Sequence, residues 1–269
     1  MNKHIALSAI GVALAACPAG AQVHATDFIV RVHNDALETG AVDTGGGIVY
    51  PSLVRSAVFG SEGFANFTND PGVNSEPGEL IPGMAIGFDL LAAAREWDEV
   101  AQDFETISDD TITIRDGGVS LATTPATDTD APGDVFGVAD TDADAVFHAH
   151  VQFFLNYPST TPIDGVWLLT WHLWTDASGI APTDPLYVVF AQGAGTADLD
   201  AAVAWVEDNL LAPACACDIS ADGVLNLDDI NLFADGFVAG DLSVDQDANG
   251  VLNLDDVNLF AACFVAGCP

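Results

Sequence analysis

The chain has 269 residues, enough for one substantial domain and a smaller one, and half of them are hydrophobic, which excludes an acidic disordered tail. Forty acidic residues face five basic ones, giving a net charge of −35. The basic residues are Lys3, Arg31, Arg55, Arg95 and Arg115, so the chain lacks the Lys and Arg clusters that nucleic acid or an anionic membrane would attract.

Residues 1–21 read as an export signal. Lys3 supplies the positive start, and Ile5 to Ala16 is an apolar run too short to span a bilayer. Ala19-Gly-Ala21 offers small residues for cleavage, and Val23-His-Ala25 is a second such site. The expectation is a secreted or extracellular protein. Leu14-Ala-Ala-Cys17 also resembles a lipobox, which implies the alternative of an envelope lipoprotein anchored through Cys17. No other stretch reads as transmembrane.

Residues 26–193 predict an antiparallel β-sandwich. Asp27 to His33, Thr111 to Arg115, Ala145 to Leu155, Val166 to Trp174 and Leu186 to Phe190 are β-type runs, with turn residues between them and no βαβ rhythm. Gly45-Gly46-Gly47 reads as a turn and Thr123 to Asp134 as a polar loop. Phe88 to Trp97 reads as the one helix in this region. Residues 198–214 predict a second helix and a linker: Leu199, Ala202, Val203, Val206 and Leu210 share one face, and Pro213 ends it.

The sandwich carries a pattern of histidines. His148 and His150 are two apart on a strand and so share a face. His172, in the following strand, is the third imidazole expected to converge there, and the three would suit zinc or copper. His24, upstream, is a fourth candidate. The competing reading is of ordinary sheet histidines paired with Asp. This region is also similar to exported bacterial proteins that carry an HxH strand, here His148-Ala-His150, followed by Trp171-His-Leu-Trp174 and Thr183-Asp-Pro-Leu-Tyr-Val-Val-Phe190. The resemblance implies a link to metal homeostasis and no reaction.

Residues 215–269 hold one acidic loop twice. The copies are Asp218-Ile-Ser-Ala-Asp-Gly-Val-Leu-Asn-Leu-Asp-Asp229 and Asp245-Gln-Asp-Ala-Asn-Gly-Val-Leu-Asn-Leu-Asp-Asp256. Oxygen-bearing side chains fall at positions 1, 3, 5, 9 and 12, and Gly223 and Gly250 fall at position 6. A hard cation wants six to eight oxygens on a flexible frame, so each loop predicts one calcium ion. The predicted ligands are Asp218, Ser220, Asp222, the Val224 carbonyl, Asn226 and Asp229, then Asp245, Asp247, Asn249, the Val251 carbonyl, Asn253 and Asp256. After each loop Ile230, Phe233 and Phe237, or Val257, Phe260 and Phe264, repeat at helical spacing. Cys215, Cys217, Cys263 and Cys268 bracket the repeat and predict one or two disulfides joining its ends, with three full pairings open.

These loop–helix copies resemble a type I dockerin of the cysteine-ended kind. The resemblance covers residues 215–269 and implies calcium binding and docking on a cohesin-like partner. The positions that read the cohesin in that family fall on Leu227, Asp228, Ala234 and Asp235, and on Leu254, Asp255, Ala261 and Ala262. The family's usual Ser-Thr pair and helix Lys or Arg are absent. It further implies that the sandwich is cargo anchored to a cell-surface or extracellular partner.

Catalysis has little support, since neither G-x-S-x-G nor H-E-x-x-H occurs. Glu76/Glu79 and Glu96/Asp98 are acidic pairs of the type a glycoside hydrolase uses, but 40 carboxylates produce such pairs without catalytic meaning. A polysaccharide-binding reading rests on Trp167, Trp171, Trp174 or Tyr187 being exposed to stack on sugars.

Overall fold

The computed structural model describes residues 25–136, 141, 145–157, 163–211, 216–220, 225–247 and 249–267. The predicted signal, Cys17 and His24 lie outside the described residues. In chain order the strands are β1 Phe28–His33, β2 Ala36–Val42, β3 Ile48–Val49, β4 Val54–Val58, β5 Phe67–Thr68 and β6 Val73–Asn74. β7 Ile86–Leu90, β8 Arg95–Asp98, β9 Asp103–Ile107, β10 Thr111–Asp116 and β11 Val119–Thr123 follow. Then come β12 Ala131–Val135, β13 His148–Ala149, β14 Gln152–Asn156, β15 Gly165–Thr175 and β16 Leu186–Gln192.

They form three sheets, ordered β13-β6-β1-β2-β3, β11-β10-β14-β5 and β12-β7-β15-β16-β4, with β8 pairing β15 and β9. Pairing is antiparallel except for β1 with β6 and β4 with β16. Turn chemistry explains two hairpins. Asn34 and Asp35 join β1 to β2 with φ of 50° and 59°, and Gly117 and Gly118 join β10 to β11 with φ of 53° and 87°. Two residues at positive φ match the strand twist, and Asn, Asp and Gly tolerate that region best.

One core draws on all three sheets. Trp171 on β15 has no exposed surface and lies 5.5 to 6.2 Å, centroid to centroid, from Phe28, Phe88, Phe136 and Phe153. β15 alternates as a strand must, yet its first half is buried on both faces. Trp167, Leu169 and Trp171 enter the central core, while Val166 and Leu168 pack under helix α1, Thr196–Asn209, with Ala202 and Val206. The amphipathic helix therefore lies on the outer face of the third sheet.

The stretch read as a helix, Phe88 to Trp97, is instead the end of β7, a turn, and β8. Its alanines favour a helix locally, but Phe88 and Leu90 on one side and Arg95 and Glu96 on the other pair with β15, and Ala93, Ala94 and Trp97 are buried alongside. Ala145 to Leu155 is broken into β13 and β14. The polar loop after Thr123 ends in β12. Each of the four arginines, Arg31, Arg55, Arg95 and Arg115, sits within a strand.

The C-terminal segment is helical: α2 Leu227–Ala239, a 3-10 turn Leu242–Val244, and α3 Leu254–Ala266. Asn226 and Asn253 cap the two helices with the same φ and ψ, −149° and −168°, and Asp229 and Asp256 close each capping box. Phe233 stacks on Phe260 at 4.1 Å. A Cys217–Cys263 disulfide joins the start of the first loop to α3. Cys215 and Cys268 lie outside the described residues.

Candidate metal centres

Two groups of metal-capable side chains assemble among the described residues, Asp27–His148–His150 and Asp245–Asp247–Asp256, each with its ligand atoms within 4.8 Å of one another.

The first lies where three short strands meet. Phe28 pairs with Val73, and Val73 with Ala149, so one residue further along the register Asp27, Gly72 and His150 fall in a row. A side chain at the middle position would block the other two. A Cβ on Gly72 would come within 2.7 Å of His150 Nε2 and 2.9 Å of Asp27 Oδ1, so glycine is what lets them meet. The His148 and His150 rings lie 5.0 Å apart.

Asp27 has no exposed surface, and its carboxylate is held by the Gly72 N–H at 2.8 Å and by the Asn74 side-chain amide. The buried Arg55 guanidinium donates to the Asp27 carbonyl at 2.9 Å. His150 donates from Nδ1 to the Asn69 carbonyl at 2.9 Å, which turns Nε2 toward Asp27 Oδ2, 3.5 Å away. This is the outer support that fixes the ring orientation of a metal-binding histidine. The Asp27 carboxylate beside Nε2 raises His150 to about 9, against the opposing effect of burial and with help from the Asn69 carbonyl. A metal ion at Nε2 would displace that proton. The His150 side chain keeps 20 % of its surface exposed, so the group can be reached from solvent.

His172 does not belong to this group. It stands on β15 in the third sheet, opposite Asp89 in register, with Nε2 3.3 Å from Asp89 Oδ2. The expected three-imidazole cluster is thus replaced by two imidazoles and a carboxylate. Nothing in the spacing around Asp27 marks it as a ligand. The available signal was an acidic residue opening the apolar run Asp27-Phe-Ile-Val. The expected sugar-stacking tryptophans are also displaced: Trp167 and Trp171 are fully buried in the core.

The second group is the repeated loop. Asp245 Oδ2 accepts the Gly250 N–H at 2.6 Å, while Asp245 Oδ1 is buried with no hydrogen-bond partner among the described residues. Asp256 accepts from Gln246 N at 2.9 Å and from Asn253 N at 2.7 Å, which keeps it below the usual carboxylate range. Asn249 donates to Asp247 at 2.7 Å, and Asn253 to the Val251 carbonyl at 3.4 Å. In the first loop Asp229 accepts from Ser220 N and Asn226 N at 3.0 and 2.9 Å, which hold it down to about 2. Ser220 Oγ donates to Asp218 at 3.1 Å. Asp222 and Val224 lie outside the described residues. Both position-12 carboxylates therefore stay ionised, as a cation ligand must.

No family model matches the chain, and no curated protein matches it. Among solved structures, the CooA pilin subunit from enterotoxigenic Escherichia coli aligns at 9% identity and a TM-score of 0.26, covering 62% of this chain and 99% of that one. A likeness at that level carries no argument. Among the described residues no helix is long and apolar enough to cross a membrane.

Proposed function

We propose that this is a metal-binding protein in which Asp27, His148 and His150 hold a borderline divalent cation such as zinc or copper, and the two C-terminal loops hold calcium. The observation that carries the reading is the His150 ring, anchored through Nδ1 to the Asn69 carbonyl with Nε2 turned to a buried carboxylate. Imidazole suits borderline metals, and three protein ligands leave room for a further one. The all-oxygen loops suit a hard ion. His172, paired with Asp89, is dispensable in this reading. Metal analysis of the full chain after zinc loading tests it. Asp27→Asn and His148→Ala should each lose the transition metal and keep calcium, and His172→Ala should keep both. Retention of zinc by both of the first two variants would refute the site.

A second reading is favoured by one observation in the C-terminal segment. An apolar groove of about 320 Å³ runs between α2 and α3, lined by Ile230, Phe233, Phe237, Val257 and Phe260 among others. On this reading the segment docks on a cohesin-like partner and the β-rich region is its cargo. Calcium-dependent capture of the full chain by a panel of cohesin domains supports docking. Absence of capture at saturating calcium leaves the loops a stabilising role alone.

A further inference from the structure

A hollow of about 300 Å³ lies between the outer face of the third sheet and helix α1, and shares no lining residue with either metal group. Phe104, Tyr187 and Trp205 give it aromatic walls, and Arg95, Glu105 and Thr170 give it polar ones. The walls are fixed. Phe104 is buried and meets Trp205 edge to face at 5.7 Å. Arg95 donates to the Phe104 and Glu105 carbonyls at 3.2 and 2.8 Å and pairs with Asp128. Thr170 and Tyr187 face each other across the β15–β16 ladder.

Rigid aromatic walls with a few polar groups around them are what a small-molecule site requires. The charge narrows the ligand. Arg95 is already matched by Asp128, Glu105 adds a negative charge, and the chain carries −35. An anion has no counter-charge here, and a purely apolar ligand would leave the polar rim desolvated. We propose that this hollow binds one pyranose ring of a neutral saccharide, with the C–H face of the sugar on Trp205 and Tyr187 and its hydroxyls on Thr170, Glu105 and Arg95. Aromatic faces supply area at little entropic cost, and the polar rim supplies orientation.

The test uses the full chain, tryptophan emission and calorimetry, with neutral gluco-, galacto-, manno- and xylo-oligosaccharides and with glucuronic acid as the charged control. The expected result is saturable binding of at least one neutral series. Trp205→Ala should weaken it by about tenfold or more, with calcium and zinc uptake unchanged. Thr170→Val and Tyr187→Phe delete hydroxyls without emptying the walls, so they decide the matter if Trp205→Ala fails to fold. Binding of no neutral series, equal binding by all three variants, or equally tight binding of glucuronic acid would overturn the proposal.

Discussion

Trp171 in the β-rich region is surrounded by four aromatic rings, three of them contributed one by each sheet, whereas Phe233 in the C-terminal segment stacks on Phe260 and has few other buried neighbours. The buried cluster of that segment comprises Cys217, Phe233, Val244 and Phe260. A core so small cannot offset the loss of chain entropy alone. The shortfall is met by a covalent bond, two capping boxes and carboxylates drawn together at the loops. Carboxylates crowded within 4.8 Å repel one another, and a cation turns that repulsion into attraction. The β-rich region inverts this order. Its apolar core draws on all three sheets, and Asp27, His148 and His150 are not among the residues packed in it.

The largest effect should come from removing both supports of the C-terminal segment. Chelating calcium and reducing Cys217–Cys263 should abolish the helical circular dichroism of α2 and α3. The near-ultraviolet signal of the tryptophans, all of which lie before residue 206, should persist. Simultaneous loss of both signals would break the contrast. Next, Trp171→Ala should destabilise the β-rich region by about 3–5 kcal/mol in denaturant unfolding, with the calcium isotherm unchanged. Asp245→Ala removes the buried oxygen that lacks a partner, and should weaken calcium binding at the second loop by about tenfold, or roughly 1.4 kcal/mol. Titration calorimetry reads that loss directly.

A separate effect is a pH dependence of the metal-free form. His150 is raised to about 9 in the folded chain, so its contribution to stability is fully present below about pH 6.5 and is lost as pH rises through about 9. Thermal melting between those values should fall with pH, and Asp27→Asn should flatten the slope.

The sequence made the β-rich class, helix α1 and the repeated loops legible, because each rests on local periodicity or spacing. Phe88 to Trp97 misleads because its local helix preference yields to pairing with β15, a partner some eighty residues away in the register. Asp27 is silent for the same reason: its companions at 72, 74 and 148–150 are brought to it only by β6 and β13. His172 shares a sheet face with Thr170 as alternation requires, but periodicity within a strand does not say which sheet the strand joins. Trp167 and Trp171 are on the inner face because α1 covers the outer one.

The placement of the four arginines also governs how the molecule can be cut. Trypsin-like proteases need a Lys or Arg on a segment that can leave its ladder. Arg31, Arg55, Arg95 and Arg115 each lie inside a strand, and from Asp116 to Pro269 there is no Lys or Arg. The C-terminal helical segment therefore offers such enzymes no cleavage site whether folded or unfolded. If the loops hold a cation, removing it in the presence of trypsin-like proteases would loosen the segment without releasing it from the β-rich region.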